Sequence, residues 1–280
     1  MNPMQSILVH MDASPRSAVR LELARQLARQ HGANMLCALL AIKPRLVPVL
    51  TGPIVADIPP PLVPEVDPDQ LARARAVFDR VLEERAEPTM AWDVVPGDPP
   101  AWGFAQAALY ADLMVLGQKD PKDPYAVDVP ADFVEDVLLQ SGKPGLVIPY
   151  AGDYPTVGDN VLVAWKPSRE CARAVAAAVP LMQRARNVQV VCWGEDNFAP
   201  AETTFGIARY LQWHDVKAKV QRYPDEPDDI GDLLLSRASD HGSDLLVMGC
   251  YGHSRLREII LGGTTRAVLR SMTCPVLTAH

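Results

Sequence analysis

Short apolar runs alternate with longer amphipathic stretches along the 280 residues. An apolar run at 5–12 precedes the stretch 17–31, where Leu23 and Leu27 lie on one helical stripe, and a second apolar run follows at 34–42. Runs of this length are typical of buried strands, and the stripe is typical of an amphipathic helix. A strand, a helix and a strand in succession predict parallel strands joined by a right-handed crossover.

The same alternation continues to the end of the chain and predicts an α/β fold, with a parallel sheet covered by helices on both faces. Further strands are predicted at 89–95, 112–117, 145–149, 161–165, 187–193, 217–223 and 244–248, with a last strand after Cys274. Further helices are predicted at 69–85, 101–110, 130–140, 169–184, 199–214 and 228–241.

One segment interrupts the alternation. Eight prolines lie from Pro44 to Pro68, and proline fits neither a helix interior nor a central strand. The pattern predicts a long extended loop, which is either a simple surface excursion, a cover over a site or a contact between domains.

The second half of the chain repeats the design of the first. The strand and turn around Asp12 align with those around Lys166 at an offset of 154, and 111–117 aligns with 243–249. Gly117 precedes Pro144 by 27 positions, and Gly249 precedes Pro275 by 26. These coincidences predict a tandem repeat, with domains at 1–150 and 160–280 and a linker at 151–159.

A glycine-rich stretch in the second half is the strongest candidate for chemistry. Gly249, Gly252 and Gly262 form the pattern G-x2-G-x9-G between a predicted strand and a predicted helix. Backbone N–H groups in such a turn can point at an anion, so the stretch is a candidate phosphate cradle. The alternative is that each glycine only ends a strand or caps a helix.

This pattern resembles the ATP-binding signature of the universal stress protein family, and the resemblance extends over nearly the whole chain. It implies two tandem open five-stranded parallel sheets of strand order 3-2-1-4-5, a fold like that of the adenine nucleotide alpha hydrolases. It also implies pairing through the fifth strands, which gives an internal pseudo-dimer, and further pairing of chains as a homodimer.

For ligands, the resemblance implies ATP, with Mg²⁺ as its possible companion, bound by the glycine loop and by an aspartate that ends the first strand. The family's final glycine is usually followed by a hydroxyl residue, whereas here Gly263 intervenes before Thr264 and Thr265. The candidate nucleotide-binding residues are therefore Gly249, Gly252, His253, Gly262, Gly263, Thr264 and Thr265, with Lys166, Trp193 and Asp12 as weaker ones.

The two halves divide these features. The first half keeps Asp12 but has no glycine from Gln118 to Ser141, where several acidic residues would repel phosphate. The second half keeps the loop but has Lys166 in place of the aspartate. Lys166 either reaches a phosphate or is solvated, and Asp12 either binds ligand or caps the following helix.

Charge and composition exclude several classes of protein. The net charge of −7 and the pI near 5.4 argue against binding to nucleic acid or to anionic membranes. We find no apolar run near the roughly 18–20 residues that span a bilayer and expect no signal peptide. The five scattered cysteines fit a reducing cytoplasm.

We find no metal-binding motif and no nucleophile elbow in the sequence. A basic group, His253, Arg255, Arg257, Arg266 and Arg270, surrounds the glycine loop and suits an anion. Three hypotheses remain: a nucleotide-responsive stress or signalling module that docks to protein partners, a scaffold without ATP that acts through dimerisation, and a weak ATP hydrolase with His253 as its base.

Overall fold

The computed structural model of the protein describes residues 4–49, 61–84, 88–95, 98–194, 205–225, 229–250 and 263–280. The strands within these ranges are β1 (Ser6–Met11), β2 (Met35–Leu40), β3 (Arg45–Pro48), β4 (Leu62–Glu65), β5 (Thr89–Val94), β6 (Leu113–Gly117), β7 (Gly145–Ile148), β8 (Asn160–Ala164), β9 (Asn187–Trp193), β10 (Ala218–Tyr223), β11 (Leu245–Gly249) and β12 (Val276–Ala279).

The helices within the same ranges are α1 (Arg16–His31), α2 (Pro68–Glu84), α3 (Pro100–Ala108), α4 (Phe133–Ser141), α5 (Arg169–Met182), α6 (Ile207–Trp213), α7 (Ile230–Asp240) and α8 (Thr264–Ser271). Helix α1 ends where Gly32 adopts a left-handed conformation (φ 61°) and its backbone N–H donates to the backbone oxygens of Ala28 and Arg29. Only a residue without a Cβ enters that conformation at little cost, so the sequence fixes this end.

Ten strands form one sheet in the order β10-β9-β8-β11-β12-β7-β6-β1-β2-β5. Within each half of the chain the order is 3-2-1-4-5 when only the strands of this ten-stranded sheet are counted along that half. The prediction of an α/β fold with a large, mostly parallel sheet is confirmed. The finer prediction of two five-stranded sheets is corrected to one ten-stranded sheet, because the fifth strands of the two halves, β7 and β12, pair with each other.

The join is the antiparallel pair in the described sheet. Val276 lies opposite Val147, Leu277 opposite Leu146 and Thr278 opposite Gly145. Both strands are buried along their whole length. Pairing therefore covers two apolar edges that would otherwise expose unpaired backbone groups.

Reversals of strand order place helices on both faces. In the first half the chain moves outward from β1 to β2 and β5, with α1 packed on α2. It then returns past β1 to β6 and β7, with α3 packed on α4. Because crossovers are right-handed, the change of direction moves the second helix pair to the opposite face.

A carboxylate holds the start of the first strand in each half. Asp112 Oδ2 accepts hydrogen bonds from the backbone N–H groups of Gln5 and Ser6 at 2.8 and 3.0 Å. Asp244 accepts from the N–H groups of Asp159 and Asn160 at 3.1 and 2.8 Å. The offset of 154 that relates the halves also relates Ser6 to Asn160, so the same contact is built twice.

The proline-rich segment contains more order than the sequence predicted. Strands β3 and β4 pair antiparallel as a separate two-stranded sheet, and 50–60 lie outside the described residues. Prolines are tolerated because both strands are edges, where a missing N–H costs no ladder bond. The Asp67 carboxylate caps α2 through the N–H of Asp69 at 2.8 Å and pairs with Arg45.

The main differences from the predicted boundaries are at helix starts. Helix α4 begins at Phe133 rather than at Pro130, because Asp132 takes the capping position. Helix α6 begins at Ile207, after Gly206 in an extended conformation, whereas the prediction began at 199. The positions 195–204 lie outside the described residues. Within the ranges that the structure describes, no helix has the length and apolarity needed to cross a membrane.

A buried hydroxyl in the joining strand provides a test of the packing. Thr278 is 1% exposed, and its Oγ1 has no hydrogen-bond partner. Replacing it by the isosteric valine removes an unsatisfied polar group, so we expect Thr278→Val to raise the free energy of unfolding by about 1 kcal/mol. Urea titrations of both proteins measure the change. A less stable variant would contradict the burial of this hydroxyl.

Candidate functional site

Two equivalent places on the carboxyl edge of the sheet are candidates for a ligand. Strand β1 lies between β2 and β6, and β8 lies between β9 and β11. After β1 the chain runs to β2 on one side, whereas after β6, on the other side, it runs away to β7; β8 and β11 behave in the same way. The loops that follow these neighbouring strands therefore run in opposite directions and leave a gap between them. Such switch points are where open α/β sheets bind ligands.

Gly249 closes β11 at the second switch point, and packing alone explains why it is glycine. A Cβ at this position would lie 2.6 Å from the backbone N of Cys171 and 2.8 Å from the backbone carbon of Glu170. The start of α5 therefore approaches the end of β11 closely. This close approach gives Gly249 a structural role beside any binding role.

The start of α8 is the part of the predicted glycine stretch with the clearest anion-binding chemistry. Gly263 stands at the capping position, no side chain caps the helix, and its first turn contains no acidic residue. Thr264 is half-buried and Thr265 is buried, while Arg266 and Arg270 are exposed on the same helix. First-turn N–H groups without a capping side chain suit a negatively charged group.

Three of the predicted site residues, Gly252, His253 and Gly262, lie outside the described residues, as do Arg255 and Arg257. Their roles stay predictions from the sequence.

The two weaker candidates of the second half lie in different surroundings. Lys166 is exposed just after β8, where a flexible ammonium group can reach an anion. Trp193 ends β9 and is 7% exposed, and its ring stacks on Tyr223 with centroids 5.7 Å apart. The Arg237 guanidinium covers the Tyr223 ring at 4.3 Å. Trp193 therefore has a packing role in the described structure.

Asp12, the candidate of the first half, is held inside the protein. It is 4% exposed, its Oδ1 accepts from the N–H of Ser14 at 2.8 Å, and its Oδ2 pairs with Arg20 at 2.8 Å. Burial by itself would raise the pKa of Asp12, but the Arg20 guanidinium and the Ser14 N–H bring this pKa down to about 2. Asp12 is therefore a paired, ionised carboxylate.

The acidic residues that follow β6 serve the local structure of the first half. Asp120 accepts from the N–H of Lys122 at 2.8 Å, and Asp123 accepts from that of Tyr125 at 2.8 Å. Helix α4 carries Glu135 and Asp136 in its first turn. These carboxylates occupy the region where α8 offers an acid-free helix start in the second half, so the two helix starts differ in charge.

A cavity of about 940 Å³ lies between this acidic loop and α8. Its lining includes Lys119 and Glu135 from the first half and Arg266 from the second. Burial raises the pKa of Glu135, while the nearby Arg266 opposes that rise. The cavity adjoins α8 from the side and is a boundary between the halves.

Gln118 ties the halves together at this boundary. Its Nε2 donates to the backbone oxygens of Leu269 and Arg270 at 2.9 Å each, at the carboxyl end of α8. Its Oε1 accepts from the N–H of Tyr150 at 3.1 Å. Gln118, which directly follows β6, thereby links the end of this strand to the carboxyl end of α8.

Sequence reasoning missed Arg20 and Gln118. Arg20 is 3% exposed although it is charged, and the available signal was an aspartate at a strand end followed eight positions later by an arginine on the inner face of a helix. Gln118 gave no signal, because its partners lie about 150 positions away and are backbone atoms.

Among the residues described, no group of three or more histidine, cysteine, aspartate or glutamate side chains could hold a metal ion. The five cysteines are all free thiols. Burial raises the pKa of Cys192 and of Cys274 to about 11, so these thiols are poor nucleophiles near neutral pH.

Comparison with known proteins finds a likeness in the second half of the chain. Residues 158–280 match the profile of the Universal stress protein family. A universal stress protein of Synechocystis is 28% identical over 177 residues, which cover 60% of this chain and 57% of that protein. One of Methanocaldococcus jannaschii is 39% identical over 44 residues, 27% of its own length. The chain thus aligns with little more than half of the first relative and about a quarter of the second.

Solved structures resemble the whole chain in fold. The crystal structure of a universal stress protein from Archaeoglobus fulgidus matches with a TM-score of 0.69 at 18% identity, over 98% of this chain and 95% of that one. A Pseudomonas aeruginosa protein described as functionally unknown matches with a TM-score of 0.59 at 16% identity, over 98% and 92% of the two chains. At these identities the likeness shows the fold.

The histidine beside the first switch point makes stability depend on pH. His10 is 1% exposed, stacks on Phe133 with centroids 4.2 Å apart, and lies with Nε2 3.0 Å from the Ala41 oxygen. Burial lowers its pKa from 6.5 to about 4, so the folded protein keeps the ring neutral where the unfolded chain protonates it. The stabilising contribution is complete above pH 6.5 and is lost as the pH falls to 4.

We expect His10→Gln, which does not titrate, to remove this part of the acid dependence. Between pH 7 and pH 4 the wild type should lose about 3 kcal/mol more of its free energy of unfolding than the variant. Denaturant titrations at both pH values measure the difference, and the exposed His214 changed to glutamine is the control. Equal losses in wild type and His10→Gln would contradict a neutral buried ring.

Proposed function

We propose that the chain is a tandem universal stress protein. Its domains would be 1–150 and 160–280, joined by the linker 151–159. The family profile covers the second of these. For the first, support comes from the same strand order and from the matching Asp112 and Asp244 contacts, since repeated sequence offsets and repeated contacts are the mark of a duplicated unit.

We propose further that the second domain binds an adenine nucleotide at the switch point between β8 and β11. The observation that carries this proposal is the start of α8, which has no capping side chain and no acidic residue in its first turn. The equivalent helix of the first half, α4, begins with two carboxylates. One helix start is therefore suited to a phosphate group and the other is not.

The residues that would hold the nucleotide divide by chemistry. The N–H groups at Gly263 and the hydroxyls of Thr264 and Thr265 suit phosphate oxygens, and Lys166 adds a mobile positive charge. Gly252, His253 and Gly262 complete the loop on the grounds of the sequence pattern. Because the described residues hold no metal-binding cluster, Mg²⁺ would arrive with ATP rather than in a site of its own.

Binding would act through conformation. Gln118 donates hydrogen bonds to backbone oxygens at the carboxyl end of α8. A phosphate bound at the other end of this helix would therefore affect the first half through this contact. We propose that the occupied and empty forms differ at this boundary and that protein partners, still to be identified, distinguish them. Pairing of chains as a homodimer and residence in the cytoplasm belong to the same proposal, and the free thiols support a reducing compartment.

A scaffold that works without ATP is the second candidate. It is favoured by Lys166 at the position where the resemblance implies an aspartate, and by Gly263 where it implies a hydroxyl residue. Weak hydrolysis of ATP is a third candidate that would depend on His253 as a base. Replacing His253 by alanine would abolish turnover if hydrolysis is real.

The decisive measurement is nucleotide binding. We expect adenine nucleotide to be released by acid from the purified protein and Mg-ATP to bind in calorimetric titrations. Gly252→Val should abolish binding, because the G-x2-G-x9-G pattern of the candidate phosphate cradle requires glycine at this position. Thr264→Val should weaken it about tenfold or more, since a hydrogen bond to a charged group contributes about 1.5–3 kcal/mol.

The matched control is Thr278→Val, the same substitution at a fully buried position inside β12, which should bind as the wild type does. Absence of released nucleotide together with absence of heat on titration would reject the nucleotide proposal and favour the scaffold.

A further inference from the structure

The first switch point is complete in the described structure, and a side chain of the protein itself fills it. Arg20 projects from α1 into the gap between the ends of β1 and β6. Its Nε donates to the His10 oxygen at 3.0 Å on β1, and its terminal Nη2 pairs with Asp12 at 2.8 Å. On the other side its Nη1 would lie 2.4 Å from a Cβ built on Gly117, at the end of β6.

The polar groups of this gap are committed to one another. Arg20 Nη2 also lies 2.8 Å from the Ser17 hydroxyl, which is itself 2.9 Å from Asp12 Oδ1. All three side chains are buried, with exposures of 5% or less. The guanidinium thus occupies the place, and takes the hydrogen bonds, that a ligand at this switch point would need.

The second switch point lacks this arrangement. The offset of 154 places Ala174 opposite Arg20, Cys171 opposite Ser17 and Lys166 opposite Asp12. Ala174 is completely buried, and its methyl side chain is too short to reach the strand ends. Lys166 carries an ammonium group, so the second half has no carboxylate at the position that corresponds to Asp12. None of the described residues of the second half puts a guanidinium between β8 and β11.

We propose that Arg20 is a built-in occupant of the first switch point, which closes it to nucleosides and leaves one nucleotide site per chain. This inference rests on the proposed function for the second site, but it concerns residues of the first half alone. It makes Arg20 a specificity-determining residue: its removal should create a cavity bordered by residue 12, where an adenosine hydroxyl or amino group finds a partner.

The test uses a pair of variants that differ only in bulk. Asp12→Asn/Arg20→Ala removes both charges, so no unpaired carboxylate is buried, and it empties the gap. Asp12→Asn/Arg20→Met removes the same charges but keeps the gap filled. Circular dichroism checks that both are folded, and equilibrium dialysis with radiolabelled adenosine counts the molecules bound per chain.

We expect the alanine variant to bind one more adenosine per chain than the wild type, and the methionine variant to bind the same number as the wild type. Equal numbers for the alanine variant and the wild type would overturn the inference. The test compares the number of adenosine molecules bound by the variant with the number bound by the wild type, so it remains decisive if the wild type binds none. Absence of nucleotide binding by the wild type would instead reject the proposed function.

A reciprocal change gives a separate result on the second half. Lys166→Asp/Ala174→Arg rebuilds the carboxylate and guanidinium pair there, with Lys166→Asp alone as its control. We expect calorimetry to show weakened Mg-ATP binding in the single variant, which has lost the Lys166 ammonium group, and no Mg-ATP binding in the double variant. Retained binding in a folded double variant would overturn the idea that such a pair closes a switch point.

Discussion

The antiparallel pairing of β7 with β12 is the contact on which the architecture depends. Each strand lies at one edge of its own half and is fully buried, so each would leave an open, aggregation-prone edge if the halves stood apart. Joining them produces one ten-stranded sheet. It also places α8 of the second half against the loop after β6, which is why Gln118 reaches the carboxyl end of α8.

Once the halves are joined, their carboxyl edges differ in charge rather than in fold. At the first switch point, Asp12 and Arg20 neutralise each other inside the protein, and the start of α4 carries its own carboxylates. At the second, α8 starts without a cap or an acid. Two halves with the same strand order thus differ at their carboxyl edges: the first holds a buried ion pair, and the second offers a helix start suited to an anion.

The sequence predicted most of the fold because its signals are local. Gly32 ends α1, the apolar run at 113–117 becomes β6, and the offset of 154 reappears as matched contacts at Ser6 and Asn160. The candidate site was predicted less completely. Trp193 turned out to stack on Tyr223, and Gly249 has a packing reason for lacking a side chain. Neither partner is near in sequence, so no local pattern could indicate these contacts.

By itself, therefore, the sequence determined most of the helices and strands, because hydrophobic period and turn residues act over a few positions. The strand order within each half and the pairing of the fifth strands were implied by the family resemblance and not by these local signals. Only the tertiary structure decided the register in which β7 and β12 pair, that Arg20 fills the gap beside Asp12, and that Gln118 reaches α8. These facts depend on which groups become neighbours after burial. A buried charged group is stable only when it pairs with a partner that the fold has brought within hydrogen-bonding distance.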